Sequence, residues 1–214
     1  FQLLKDTILP CTGFPYCEGE DCVWPGDFDH NGIADHYDLL YWGVMKDSQG
    51  GHRNGRINWY GQTADSWTPT LPNSLNAKHG DGNGNGIIND EDIDRNIQHY
   101  LLTNPYYVPQ ALFPEGPEIR LTSIPMEANG RIRNLRIRTG TAINNVLGLA
   151  YEIDFDTTIY KIQDFRAPLC PADSNIICLY SDTYFPVDPN FEISPRYSFV
   201  KTDHQPMELE EGTI

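Results

Sequence analysis

Apolar positions along the chain follow two different periods. In two segments, GDFDHNGIADHYDLLYWG and GDGNGNGIINDEDIDRNIQHY, a Gly-Asp-rich turn runs into apolar residues spaced three and four positions apart. That spacing places them on one face of an α-helix, so the two segments predict a repeated loop–helix unit. We expect the first helix to bury Tyr37, Leu40, Tyr41 and Val44, and the second to bury Ile93, Ile97, Tyr100 and Leu101.

Later in the chain the period changes to two. The segment LGLAYEIDF, residues 147–155, alternates apolar residues with small or acidic ones, as a half-buried β-strand does. The segment RIRNLRIRTG, residues 131–140, predicts another strand, with a bulge near Asn134 and its arginines on the solvent-facing side. We therefore expect an α+β multidomain fold, in which a helical part precedes an antiparallel β part.

The pattern also divides the chain. Prolines crowd a short stretch between the two parts, which predicts a semi-rigid linker. An irregular insert, residues 45–77, separates the two loops and is expected to pack Trp59 and Trp67. The predicted stretches are a cysteine-containing segment at 1–22, the paired loop–helix module at 23–103, the linker at 104–116 and the β part at 117–214.

The net charge of the chain limits which classes of partner are expected. Among 214 residues, 15 Lys and Arg stand against 30 Asp and Glu, giving a formal net charge of −15. We expect no nucleic-acid partner, because such proteins need a basic patch to displace counterions from phosphate. We also expect no membrane insertion, because no run reaches the roughly 18 apolar residues of a spanning helix. Only 6 basic residues but 16 acidic ones precede Pro117, so cations are expected to bind there.

The five cysteines favour an oxidising compartment. Cys170 and Cys178 bracket a short loop that a disulfide would close, and Cys17 and Cys22 could do the same across CEGEDC. Cys11 is left over, and no cysteine spacing fits a zinc site. The protein is therefore expected to be extracellular or on the cell surface.

Each turn has the spacing of a twelve-residue calcium loop. Oxygen-bearing side chains recur at positions 1, 3, 5, 9 and 12, with Gly32 or Gly86 at position 6 for the sharp turn and a backbone carbonyl offered at position 7. The apolar side chain at position 7 is expected to point into the core and tie each loop to its neighbour. The candidate ligands for two Ca²⁺ ions are Asp27, Asp29, Asn31, Ile33, Asp35 and Asp38 in the first loop (loop 1), and Asp81, Asn83, Asn85, Ile87, Asn89 and Asp92 in the second (loop 2).

Both loops end in Asp at position 12, where the EF-hand pattern has Glu. A shorter carboxylate must be brought closer by the backbone, as happens when no helix precedes the loop, and Trp24-Pro25-Gly26 forbids one here. Residues 23–103 therefore resemble a dockerin type I repeat pair, of the kind in secreted surface proteins of Bacteroidetes-type bacteria. The VWPGD and KHGDGNGNG segments carry that likeness, and the long insert departs from cellulosomal dockerins.

From about Pro117 onward the chain resembles a cohesin-type β-sandwich. The segments IPMEANGRIRNLRIRTG, GLAYEIDFD and FVKTDHQPMELEEGTI carry this resemblance. The resemblance implies a closing strand after Ile214, so the sandwich is expected to lack its last strand. The apolar segment FQLLKDTIL at residues 1–9 is a candidate to fill that gap in a neighbouring copy by strand addition.

No catalytic motif stands out. The chain has no GxSxG, P-loop, GxGxxG or HExxH sequence, and its six histidines show no metal-ligand spacing. His30 and His36 occupy non-ligand positions of loop 1 and are expected to face solvent. Aromatic side chains such as Trp42 could stack on a sugar, but core packing is the favoured interpretation. We expect no enzyme.

Two functions fit these observations. The first is a non-catalytic, calcium-stabilised extracellular assembly protein, such as the subunit of a cell-surface filament built by head-to-tail or strand-addition contacts with other copies of itself or with another surface protein. The alternative is an accessory dockerin-like module of a surface adhesin or glycan-degrading enzyme.

Overall fold

A computed structural model describes residues 17, 21–53, 57–107, 119–125, 133–153, 175–180 and 196–212. The chain divides into two units, Phe1–Val108 and Pro109–Ile214. The boundary falls inside the predicted linker, and most of that linker lies outside the described residues. So do Cys11, Cys170 and the candidate donor segment at residues 1–9.

The first unit contains the described helices. Helix α1 spans Asp38–Met45, a single 3₁₀ turn spans Ala77–Gly80, and helix α2 spans Asp90–Gln98. None of the described helices is long and apolar enough to cross a membrane.

Helix α1 buries a different face from the one predicted. Leu39, Trp42 and Met45 are at most 1% exposed, whereas Val44 is 47% exposed. The reason is the carboxylate at Asp38, which must point into loop 1 and so fixes the rotation of the helix. At 100° per residue, Trp42 and Met45 fall close to the direction of Asp38, and the predicted face points the opposite way.

Helix α2 follows the prediction only in part. Ile93 is buried and Ile97 is half-buried. Leu101 lies beyond the end of the helix, with a left-handed backbone (φ 64°), and is exposed.

The second unit is antiparallel β structure. Strands β1 and β2 pair without a register shift from Ile119↔Thr139 to Pro125↔Arg133, so the bulge predicted near Asn134 is wrong. Strands β2 and β4 confirm the two segments that alternate with period two. The strands are β1 Ile119–Pro125, β2 Arg133–Thr139, β3 Ile143–Val146, β4 Gly148–Glu152, β5 Ile176–Tyr180, β6 Arg196–Lys201 and β7 Met207–Leu209.

These strands form three small sheets, β1-β2, β3-β7 and β4-β6-β5. The core of this unit gathers Val146, Tyr197, Phe199 and Leu209, so the central strand β6 supplies its two aromatic members. Described helices and antiparallel strands together make the protein α+β, as predicted. A cohesin-like sandwich with two facing layers stays a prediction.

A disulfide bond and backbone hydrogen bonds hold the start of the first unit. The predicted Cys17–Cys22 disulfide is confirmed. The backbone of Cys17 donates to Gly61 O at 3.0 Å, and Val23 and Gln62 exchange two backbone hydrogen bonds of 2.9 Å. Cys178 is also disulfide-bonded, and its predicted partner Cys170 lies outside the described residues.

The insert between the loops packs into the first unit. Trp67 is buried as predicted, and Trp59 stacks at a tilt on Trp24, with ring centroids 5.2 Å apart. The solvent-facing placement predicted for His36 is wrong. That side chain is buried, and its ring lies 4.0 Å from the ring of Tyr37, because alternate residues of loop 1 turn towards the core.

Substitution of the two adjacent leucines of α1 tests its orientation. Leu39→Ala should lower the free energy of unfolding by about 2–5 kcal/mol, because it leaves a cavity in the core. Leu40→Ala removes the same atoms from a half-buried position and should cost less than half as much. Urea unfolding in calcium buffer measures both, and equal losses would contradict the orientation of α1.

Candidate metal centre

Loop 1 brings three carboxylates together. One oxygen from each of Asp27, Asp29 and Asp38 lies within 4.8 Å of the others, and the group could hold a metal ion. These are positions 1, 3 and 12 of the predicted loop. The sequence separates Asp38 from the other two, and the turn into α1 returns it to them.

Asp38 organises the loop backbone. Its Oδ1 accepts hydrogen bonds from Phe28 N at 2.6 Å and Asp29 N at 3.0 Å, and its Oδ2 accepts one from Asp35 N at 2.6 Å. The carboxylate at the start of α1 therefore binds both ends of the loop, which explains why an acidic residue is needed there.

Burial makes the charge of these groups costly. Burial raises the pKa of Asp27 and of Asp38 well above its usual value, and the neighbouring charge of Asp29 adds to both shifts. Burial, followed by the charge of Asp35, raises the pKa of Asp29 to about 7. Within the part of the chain that the structure describes, no lysine or arginine pairs with these three carboxylates.

The hydrogen bonding of Asp27 indicates which kind of group would complete the cluster. Its Oδ2 accepts a hydrogen bond from Gly32 N at 3.0 Å, but its Oδ1 is buried without a hydrogen-bond partner. A buried carboxylate oxygen with no donor is expensive, and a cation beside it removes that cost. The donor set therefore fits a hard cation, which prefers carboxylate and carbonyl oxygen.

The other candidate ligands of loop 1 shape its turns. Asn31 Oδ1 accepts from Ile33 N at 2.9 Å, and Asp35 Oδ1 accepts from Tyr37 N at 2.8 Å. Asp35 is not one of the three converging carboxylates. This placement suits position 9, which in such loops often acts through water.

Loop 2 repeats these hydrogen bonds at equivalent positions. Asp81 Oδ2 accepts from Gly86 N at 3.1 Å, as Asp27 does from Gly32. Asp92 accepts from Asn83 N at 3.0 Å and Asn89 N at 2.8 Å, as Asp38 does from positions 3 and 9. At positions 5 and 9, Asn85 and Asn89 accept from the amides two residues on, as Asn31 and Asp35 do.

Position 6 needs glycine in both loops. Gly32 and Gly86 have φ values of 97° and 81°, in the left-handed region. A Cβ on Gly32 would lie 2.7 Å from Tyr107 Cα, and one on Gly86 would lie 2.9 Å from Gly50 O. The predicted sharp turn is thus also a place of close backbone approach.

The loops are tied to the chain in a way that differs from the prediction. The buried apolar residue is at position 8, Ala34 or Ile88, while Ile87 at position 7 is exposed. Nor do the loops pair with each other. Ala34 exchanges backbone hydrogen bonds of 2.7 and 3.1 Å with residues 101–102, after α2, and Ile88 does so at 2.9 and 3.0 Å with residues 47–48, after α1.

Each helix also reaches across to the other loop. Trp42 Nε1 on α1 donates to Asn89 O at 3.2 Å, and the equivalent Asn96 Nδ2 on α2 lies 2.9 Å from Asp35 O. Asn96 Nδ2 also lies 3.0 Å from Asp38 Oδ2, so α2 contacts a carboxylate of loop 1 directly. Sequence reasoning missed Asn96, although its place 54 residues after Trp42 in the repeat was a usable signal.

A histidine of loop 1 contacts a histidine that precedes loop 2. The rings of His30 and His79 meet edge to face, with centroids 4.0 Å apart and planes at 79°. His30 Nδ1 is 2.9 and 3.1 Å from the two ring nitrogens of His79, which places it over the ring face. The nitrogen lone pairs of His79 lie in its ring plane, so the two rings do not present a joint metal site.

Comparison of the chain with protein families, with curated proteins and with solved structures finds no match. The loop geometry is therefore the basis for assigning a function.

Replacement of Asp38 tests the centre. Asp38→Asn should weaken divalent-cation binding to loop 1 by at least about tenfold, because it removes a ligand charge and turns an NH₂ group towards backbone donors. Asp94→Asn removes the same charge from an exposed position of α2 and should leave binding unchanged. Calorimetric titration with Ca²⁺ compares them, and equal affinities would contradict the assignment.

Proposed function

We propose that the first unit is a calcium-binding module that holds two ions, one in each loop. The observation that carries this proposal is the recurrence of one hydrogen-bond pattern around Asp27 and Asp81, 54 residues apart. A chance acidic turn has no reason to recur with the same donors at positions 3, 6 and 9.

The chemistry of the donors favours calcium. The side chains at positions 1, 3, 5, 9 and 12 are all aspartate or asparagine, and none is cysteine or histidine. Hard oxygen ligands suit Ca²⁺, whereas soft sulfur and imidazole ligands favour transition metals. Six to eight oxygens are needed, so backbone carbonyls at Ile33 and Ile87, together with water, would complete the two shells.

The proposed role of the ions is structural. Folding brings the loop 1 carboxylates together, and bound cations would offset their repulsion and desolvation, so folding and binding are coupled. The Cys17–Cys22 disulfide is compatible with an oxidising compartment and supports the proposal that the protein is extracellular or on the cell surface. A dockerin-like module is the class that this loop–helix pair would represent.

The second unit offers an adhesive surface for assembly. Ile119 and Leu121 on β1 share one face of the β1–β2 ribbon with Leu135 and Ile137 on β2. Leu121 is 56% exposed and Leu135 is 51% exposed. In the described residues β1 and β2 pair only with each other, so a strand or face from another copy could cover this ribbon.

We infer that this protein is non-catalytic and that it assembles with other copies of itself, or with another surface protein, in a calcium-dependent way. Contacts of one unit with the other unit of the next copy would be heterologous, and heterologous contacts that do not close produce filaments. A cohesin-like second unit would supply the receiving surface.

Removal of calcium tests the structural role. With Ca²⁺ at about 100 times the Kd of a loop, each bound ion stabilises the first unit by about 2.7 kcal/mol, which chelation should abolish. Differential scanning calorimetry should show that the transition lowered by Leu39→Ala also moves to lower temperature in chelator. If chelator leaves the temperature of this transition unchanged, the result would contradict a structural role for the ion.

Disruption of the ribbon tests assembly. Light scattering should show large particles in calcium that dissolve in chelator, and Leu121→Glu should prevent them by placing a charge in the apolar face. Thr122→Glu places the same charge on the opposite face of the ribbon and should leave the particles intact. A monomer in calcium for the unsubstituted protein would refute assembly through this surface.

A further inference from the structure

The two loops carry very different charge. Loop 1 has four carboxylates at ligand positions, whereas loop 2 has two, with asparagine at positions 3, 5 and 9. Calcium affinity in such loops depends on the number of charged ligands. The sequence alone therefore predicts that loop 2 has the lower calcium affinity. The structure adds a second difference that lowers it in the same direction.

The second difference is Arg53, an arginine from the insert that lies buried against loop 2. Its Nη1 donates to Asp81 O at 2.6 Å and its Nη2 donates to Gly82 O at 3.1 Å. Its Nε donates to Gln62 Oε1 at 2.7 Å, and its backbone N donates to Gly84 O at 3.0 Å. Both its side chain and its backbone thus hold the first turn of loop 2.

The charge of Arg53 also faces the position 1 carboxylate. Nη1 lies 4.0 Å from Asp81 Oδ2, and both side chains are 1% exposed. A full positive charge at this distance, shielded from water, offsets much of the attraction that Asp81 exerts on another cation.

Loop 1 has neutral groups in the corresponding place. The residue 54 positions after Arg53 is Tyr107, whose Cα packs against Gly32. The nearby Asn104 Nδ2 lies 3.5 Å from Asp27 Oδ2, and it carries no charge. Among the described residues, therefore, Asp27 has no counterpart of the arginine that faces Asp81, so the attraction of its carboxylate remains available to a bound cation.

We propose that Arg53 sets the order of calcium loading: it holds loop 2 in its binding shape before an ion arrives and makes loop 2 the weaker, second site. This inference rests on the proposed function, because it assumes that both loops take calcium. It assigns to Arg53 a positioning and affinity-setting role. Occupancy of loop 1, the tighter site, then contributes more to the stability of the first unit than occupancy of loop 2.

Calcium titration of the folded full chain tests the order. The unsubstituted protein should bind in two steps, with Asp27→Asn removing the tighter step and Asp92→Asn removing the weaker one. The opposite assignment would overturn the inference while leaving the proposed function intact. Absence of any calcium uptake by the unsubstituted protein would overturn both.

Substitution of Arg53 tests the cause. Arg53→Met should tighten the weaker step by at least about tenfold and leave the tighter step unchanged, because it removes a charge near Asp81. Lys46→Met removes the same charge from an exposed ion pair with Asp90, outside the ligand positions, and should change neither step. A weaker step that keeps its affinity in folded Arg53→Met would overturn the role of the charge.

Two further variants keep the test decisive if Arg53→Met does not fold. Arg53→Lys retains the charge without the forked hydrogen bonds, so the weaker step should stay weak while stability without calcium falls. Asn83→Asp gives loop 2 the position 3 carboxylate that loop 1 has in Asp29, and it should tighten the weaker step by at least about tenfold. If Asn83→Asp leaves that step unchanged, a charge deficit does not limit loop 2 and the inference fails.

Discussion

The first unit depends on an exchange of backbone hydrogen bonds between its two halves. The position 8 residue of each loop, Ala34 or Ile88, pairs with the segment that follows the other helix. Both position 8 side chains are fully buried, and their backbone partners follow the other helix, so neither loop is completed by its own helix. The exchange also brings Trp42 and Asn96 across to the opposite loop, so each loop is built partly from the other half.

This arrangement concentrates negative charge where water is scarce. Both carboxylate oxygens of Asp38 accept hydrogen bonds from backbone amides, and Asp27 retains a buried oxygen with no donor. The cost of such burial falls on any state without a bound cation. In loop 2 the same problem is reduced by amide ligands and by the guanidinium of Arg53. The two loops thus share one backbone arrangement, but the charge of their carboxylates is offset in different ways.

Much of this site follows from local sequence. Each loop is one continuous segment, so the spacing of Asp27, Asp29 and Asp38 suffices to predict that their carboxylates converge, and the glycine at position 6 follows from the turn. Tertiary contacts determined the features that the spacing of residues could not predict. The buried face of α1 was mispredicted because apolar periodicity gave Asp38 no weight, and Arg53 was missed because its contact with Asp81 is distant in sequence. In the second unit, strand positions were predictable from alternation, but the pairing into three small sheets depends on contacts between distant strands.

The exchange of partners has a consequence for how such a unit could arise. A single loop–helix segment would expose its position 8 residue and leave its loop carbonyls unpaired, yet a second identical segment, turned by half a revolution, would supply both. Each half of the first unit therefore receives from the other half what an isolated segment could obtain only from a second copy of itself. Arg53 departs from this exchange, because its side chain serves loop 2 while the residue at the equivalent position of the other half is Tyr107.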